Sequence, residues 1–389
     1  MKYFLFISLF SILFYSGAQQ NVPANSQEEK EKNSAPAMNS NYAEPIMLEE
    51  FSKKDQSKKK TMSAEGQSSS ESQLIQQRYL NANASFQQSY SSNKKMSSRK
   101  SSTEEEQLDM NMRLETMRAT NASGFEYQLA EYQIGNHNVS KIDFLKEAER
   151  LNPNNKEVQL QLTAYHEITG GSQKLEYLKK LNGSKYFSQE LLHYARFVLT
   201  TLPEKSVLIT HGVDDTYPIW IEQSISNFRS DVIIISLDLL QSEEYRNKLK
   251  KQGFSIPTAT FIDTKYLQEF IRLNSSKSIH VSMTVPAPYL KSVQSNLEIE
   301  GLSFTIKSTD PATTNQHIYQ QLLREMDNVP KPTTNVGKQL QLNYVPMLLV
   351  IRNTAQVTKD KRLSQKIDKQ LLEIAKAAGK ETQVKTLMK

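Results

Sequence analysis

The sequence predicts an α/β fold: a mainly parallel sheet with flanking helices, preceded by a small helical region and a long disordered N-terminal segment. Three observations carry this. The apolar, β-branched runs Val207 to Thr210 and Val232 to Ser236 read as strands buried on both faces. Amphipathic stretches alternate with such runs through the middle of the chain. From Gln19 to Ser123 the sequence is rich in Ser, Gln, Asn, Lys and Glu and shows no sustained apolar periodicity.

The first residues predict export. Met1-Lys2 is a short basic start, Tyr3 to Tyr15 is apolar apart from Ser8 and Ser11, and Ser16-Gly17-Ala18 offers small residues for cleavage. That is the layout of a signal peptide over 1–18, with an apolar run short for a membrane span. The expected location is the periplasm or the cell surface. The chain of 389 residues has no cysteine, which excludes disulfides, thiol catalysis and cysteine-held zinc.

The span 19–123 reads as a low-complexity linker. Within it, Ala43 to Phe51 is slightly apolar, a candidate docking peptide. Glu104 to Met117 carries Leu108, Met112 and Leu114, the makings of a loose helix. Formal net charge is +6, and the densest basic run lies between Lys53 and Lys60. No aromatics are interleaved there for base stacking, so the run reads as a solvated tail and nucleic acid is not an expected partner.

Order is expected from about Phe125. Helices are read over Phe125 to Ile134, Ile142 to Leu151 and Val158 to Ile168, with Asn152-Pro-Asn-Asn155 as a stop and restart. The residues Ala148-Glu-Arg-Leu-Asn-Pro-Asn-Asn155, Leu162, Ala164-Tyr165 and Gly170 resemble one tetratricopeptide unit, a helix pair that buries its faces by stacking. This region is taken as 124–184. An amphipathic helix over Tyr186 to Leu202 opens the α/β part, taken as 185–328.

Strands and helices then alternate. Strands are read at Val207 to Thr210, Val232 to Ser236, Thr258 to Ile262 and Ile279 to Met283, and a hairpin over Leu297 to Ile306 turns at Glu300-Gly301. Helices are read between them, the first over Tyr217 to Phe228. A further helix reaches Met326. The region 329–389 is a connector and a helical pair, Tyr344 to Thr354 and Lys359 to Ala378, with Gly379 as the final stop.

The block Leu199-Thr-Thr-Leu-Pro-Glu-Lys-Ser-Val-Leu-Ile-Thr-His-Gly-Val-Asp-Asp-Thr-Tyr-Pro-Ile-Trp220 resembles the soluble region of the DUF2723, protein O-mannosyltransferase-like membrane proteins of Bacteroidetes. There a similar strand ends in Asn-Gly-Asp-Asn-Asp-Thr-Tyr/Phe-Pro-Leu-Trp. Asp231 to Leu240 and the Glu300-Gly-Leu302 hairpin are similar to later strands of that family. The resemblance runs from about Phe187 to Arg352. Two departures matter: the multi-span membrane portion is absent, and His211 and Val213 replace the motif's first Asn and first Asp. The resemblance therefore implies an exported soluble module, not glycosyl transfer.

Ligands of open α/β sheets bind beyond the carboxyl ends of the strands. His211, Gly212, Asp214, Asp215 and Thr216 sit at such an end, and Asp238 and Asp263 lie beyond the next strands. Two readings stand side by side. Paired carboxylates near an imidazole bind a cation, polarise water or hold sugar hydroxyls. Alternatively Asp215 or Thr216 caps a helix with Pro218 in its first turn, and Asp214 supports the loop. His280 reads as packed within its strand. No phosphate-binding Gly loop, Gly-x-Ser-x-Gly elbow or His-Glu-x-x-His occurs, and no cofactor or metal is expected. The expectation is a non-catalytic envelope module that binds a protein or glycan partner. The alternative is a carbohydrate-active or metal-assisted enzyme using Asp214 and Asp215.

Overall fold

A computed structural model describes residues 64–93, 104–259, 261–306, 311–326 and 332–389. The signal-peptide, docking-peptide and basic-run readings lie outside the described residues. One compact unit takes in Arg78–Lys389. Gln20–Gln77 forms another, described only from Ala64, where the first helix begins.

The fold is mainly helical, which corrects the α/β expectation. The one sheet among the described residues has five strands of three or four residues each, and it is mixed. Strands β1 (Val207–Thr210), β2 (Ile233–Ser236) and β3 (Ile279–Ser282) are parallel, with β1 in the middle. The hairpin β4 (Glu298–Glu300) and β5 (Ser303–Thr305) adds to β3 in the antiparallel sense, giving the order β2-β1-β3-β5-β4. No strand forms at the described residues of the stretch Thr258 to Ile262. Pro257 immediately before it lacks an N–H for a ladder, and Ile262 instead enters the core as part of an irregular run. The alternation was thus legible, but it overstated the share of sheet.

Helices also occupy much of the span read as a disordered linker. They are α1 (Ala64–Asn93) and α2 (Glu104–Asn121). Tyr79, Ala82, Phe86 and Tyr90 recur at helical spacing on α1. They bury with Met110, Leu114 and Met117 of α2 and Tyr127, Ala130 and Ile134. The face differs from the expected one: Leu108 and Met112 are exposed, and Met110 and Met117 take the inner positions. Gln87, from the span read as low complexity, joins a polar chain with later residues. Gln87 donates to Gln133 Oε1 at 3.1 Å, and Gln133 and Gln161 both donate to Glu157 Oε1, at 3.1 and 2.7 Å. Buried amides bonded in this way escape the cost of leaving water unpaired.

The helical run continues through α3 (Phe125–Gln133), α4 (Ile142–Leu151), α5 (Lys156–Thr169) and α6 (Lys174–Gly183), each packed on the next. Helix α5 is the seam. Val158 and Leu162 join the arm's core, while Leu160, Ala164 and Ile168 join the main core, so it is apolar on opposite sides. Asn155 caps it by accepting from Val158 N, as the stop-and-restart reading requires. Glu167 ties the seam down by ion pairs to Lys174 and, at 2.7 Å, to Lys248; the Lys174 ammonium also lies 4.2 Å from the centre of the Trp220 ring.

Helix α7 (Gln189–Thr201) leads into β1. Its C-terminal carbonyls are collected by Arg229, whose guanidinium donates to Leu199 O, Leu202 O and Pro203 O at 2.7 to 2.8 Å. Near its start, Glu190 accepts from the amides of Thr333 and Thr334 and from the Thr334 hydroxyl, fixing where the chain returns for its last helices. Those are a short α13 (Asn335–Leu340), then α14 (Val345–Val357), α15 (Lys361–Ala377) and α16 (Glu381–Leu387), with α8 (Val213–Ser224), α9 (Glu243–Lys251), α10 (Thr264–Leu273), α11 (Ala287–Val293) and α12 (Pro311–Met326) before them. Helices α14 and α15 form the expected pair.

Candidate functional site

The turn after β1 is built around Gly212, whose φ of 79° belongs to the region open to glycine. Helix α8 (Val213–Ser224) starts at once, four residues earlier than the sequence suggested. Pro218 therefore lies inside the helix, not in its first turn. Asp214 and Asp215 become the second and third helical residues.

The two acids then diverge. Asp214 points to solvent. Asp215 is buried and turns back over the turn. Its Oδ2 accepts the His211 amide at 2.9 Å, and its Oδ1 accepts the Ser282 hydroxyl, also at 2.9 Å. Asp238, just beyond β2, accepts the Gly212 amide at 2.7 Å. Carboxylates thus take two successive amides at the mouth of a helix, where the macrodipole favours negative charge. Thr216 Oγ1 pairs with Thr210 Oγ1 at 2.8 Å, closing the turn onto its own strand. The His211 side chain is buried beneath.

Burial dominates the electrostatics of Asp215. Loss of water pushes its carboxyl up to about 6, and the nearby Asp238 charge adds to this. The His211 amide and the Thr284 and Ser282 hydroxyls act the other way without overcoming it. Helix-start geometry alone would have lowered it.

Of the residues singled out from sequence, the structure brings His211, Gly212, Asp215, Thr216 and Asp238 into one packed node and leaves Asp214 outside it. Asp263 is an ordinary cap that accepts from Tyr266 N at 2.9 Å. His280 lies in β3 between Ser303, 3.1 Å from Nδ1, and Ser278, 3.4 Å from Nε2. Sequence reasoning missed Ser282 and Thr284. The available signal was their place at the carboxyl end of the strand beside β1. Among the described residues no three His, Asp or Glu side chains are grouped to hold a metal ion. A small cavity of about 30 Å³ lies elsewhere, lined by residues such as Ile271, Lys277 and Thr305.

Residues 192–386 match the family model described as TMEM260-associated domain 2. The chain belongs to this family. The matched segment begins inside α7 and takes in the whole sheet, the Asp215 node and the last helices, whereas α1 to α6 lie outside it. No curated protein and no solved structure matches the chain.

Proposed function

We infer that the protein is an exported, non-catalytic interaction module of the bacterial envelope, acting beside glycan or glycoprotein processing. One observation carries the reading. Of the acids at the strand ends, Asp215 and Asp238 are spent inside the fold, and the exposed Asp214 stands outside their node. Asp215 and Asp238 accept backbone amides and a hydroxyl, and a group held so is positioned to support a turn, not to meet a substrate. The export-type N-terminus and the resemblance to O-mannosyltransferase-like proteins support the cellular setting. A protein or glycan partner then engages the helical surfaces, where Leu108 and Met112 stand exposed.

The test places photocrosslinking residues at Leu108, Met112 and Asp214 of the full chain in its native envelope. A glycan-bearing partner should crosslink from the two α2 positions, and Asp214→Ala should leave its capture unchanged. Sugar release or transfer by the purified protein, abolished by Asp214→Ala or Asp215→Asn, would overturn the reading.

A further inference from the structure

We propose that the outer face of α15, with the turn before it, is a peripheral docking surface for an anionic lipid bilayer. The first ground is charge. From Lys359 to Lys389 the sequence has nine Lys and Arg against four Asp and Glu, so these residues hold a net +5 of the chain's formal +6. Two of the four acids are already engaged. Asp360 accepts the Leu363 amide as the cap of α15, and Asp368 pairs with Arg352 from α14 at 2.5 Å.

The second ground is geometry. Ile367, Leu371 and Ala375 bury the inner face of α15, which fixes how the helix is rotated. The exposed residues Arg362, Lys366, Lys369 and Lys376 then follow at spacings of 4, 3 and 7 on the opposite side. At 3.6 residues per turn they form one stripe, about 21 Å long at 1.5 Å per residue. Glu373 interrupts it, 3.9 Å from Lys369. Lysines and an arginine in a line on a formed helix meet a planar array of phosphates with the backbone already ordered, and each adds to the attraction of an anionic leaflet.

The third ground separates a bilayer from a soluble polyanion. Val357 ends α14 and is 83 % exposed, the most exposed of the large apolar residues among those described. Lys359, Lys361 and Arg362 follow it at once. An apolar apex flanked by cations suits the boundary between headgroups and acyl chains, and gains nothing from a polysaccharide in water. Contact at this surface is peripheral, since among the described residues no helix is long and apolar enough to cross a membrane.

Flotation of the full chain with vesicles tests this. Vesicles with a third phosphatidylglycerol are compared with pure phosphatidylcholine, at 0.05 and 0.5 M NaCl. Preference for the anionic vesicles should appear at low salt and fade at high salt. Arg362→Gln, Lys366→Gln, Lys369→Gln and Lys376→Gln together should weaken it at least ten-fold with an unchanged thermal melt. Val357→Asp should weaken vesicle binding but not retention on heparin. No anionic preference, or equal binding by the four-fold variant, overturns the proposal; the latter would point to the Lys53 to Lys60 run. Retention on heparin that needs the stripe, without vesicle binding, overturns it in favour of a polyanion.

Discussion

The Ser282 hydroxyl donates to Asp215 Oδ1 at 2.9 Å, joining the first turn after β1 to the end of β3 across 67 residues of sequence. With the His211 amide on the other oxygen, this bond makes Asp215 a structural keystone of the sheet's edge of loops. Asp215→Ala should therefore orphan the buried His211 amide, costing about 1–3 kcal/mol, while the Ser282 hydroxyl keeps Thr284 Oγ1 at 2.9 Å as a partner. Asp214→Ala, at an exposed position, should stay within about 0.5 kcal/mol of the wild type. Urea unfolding of the two variants reads the difference. Equal losses would mean the node does not hold the turn.

The pH dependence of stability should show two buried groups working against each other. Asp215 titrates at about 6 in the folded protein against an ordinary 3.8, so on acidification the native state takes up its proton first. That stabilisation is complete below about pH 4 and is lost as pH rises through 6. Burial pushes His280 down to about 4 from 6.5, so here the unfolded chain protonates first, and stability falls as pH drops from 6.5 to 4. Each shift is worth about 3 kcal/mol at 1.36 kcal/mol per pH unit. Asp215→Asn removes one arm only. Relative to wild type, the variant should lose about 2 kcal/mol between pH 6.5 and 4 in urea titrations. A pH profile parallel to that of the wild type would refute the assignment.

How far the sequence was legible follows from which interactions are local. Val207–Thr210 declared itself because four buried β-branched or apolar residues in a row leave little alternative. Asp215 reads from sequence as a helix cap, but Gly212 holds the cap position of α8 and Asp215, its third residue, reaches back to the His211 amide. The helix start was misplaced by Pro218, which signals a first turn but sits inside α8, where its ring removes one N–H from the helical ladder. Ser282 was invisible because its role depends on β3 lying beside β1, a long-range pairing. Helix α1 was missed, and α2 read only as a loose helix on the wrong face, because their inner faces are narrow and flanked by Ser, Gln and Asn, so their apolar spacing is diluted.

Tyr245 guards the open edge of the sheet. Strand β2 is terminal in the strand order, and the Tyr245 hydroxyl donates to the Ile234 carbonyl at 3.4 Å while bonding the Ser236 backbone. One side chain thus occupies polar groups that an added strand would otherwise use. Tyr245→Phe keeps the ring in the core and frees the edge. The expected result is a loss of about 1 kcal/mol together with concentration-dependent self-association in sedimentation velocity. A variant that stays monomeric across concentrations would show that the surrounding helix, not the hydroxyl, protects the edge.

Gly301 is fixed by its neighbour as much as by its backbone. It makes the β4–β5 turn at φ 60°, and a Cβ there would lie 2.4 Å from Thr201 Cβ at the end of α7. Thr201 is not free to move, because its hydroxyl donates to Val198 O at 2.8 Å and receives the Leu302 amide at 3.3 Å. Gly379, the stop after α15, has a similar φ of 66° but nothing within 4 Å of its would-be Cβ. Gly379→Ala should therefore cost only the left-handed backbone penalty, about 1 kcal/mol. Gly301→Ala adds a collision with a pinned side chain, and the loss should exceed that of Gly379→Ala by at least about 1 kcal/mol. Paired thermal and urea unfolding of the two variants separates backbone strain from close approach. Equal losses would mean that the hairpin shifts away from α7 at little cost.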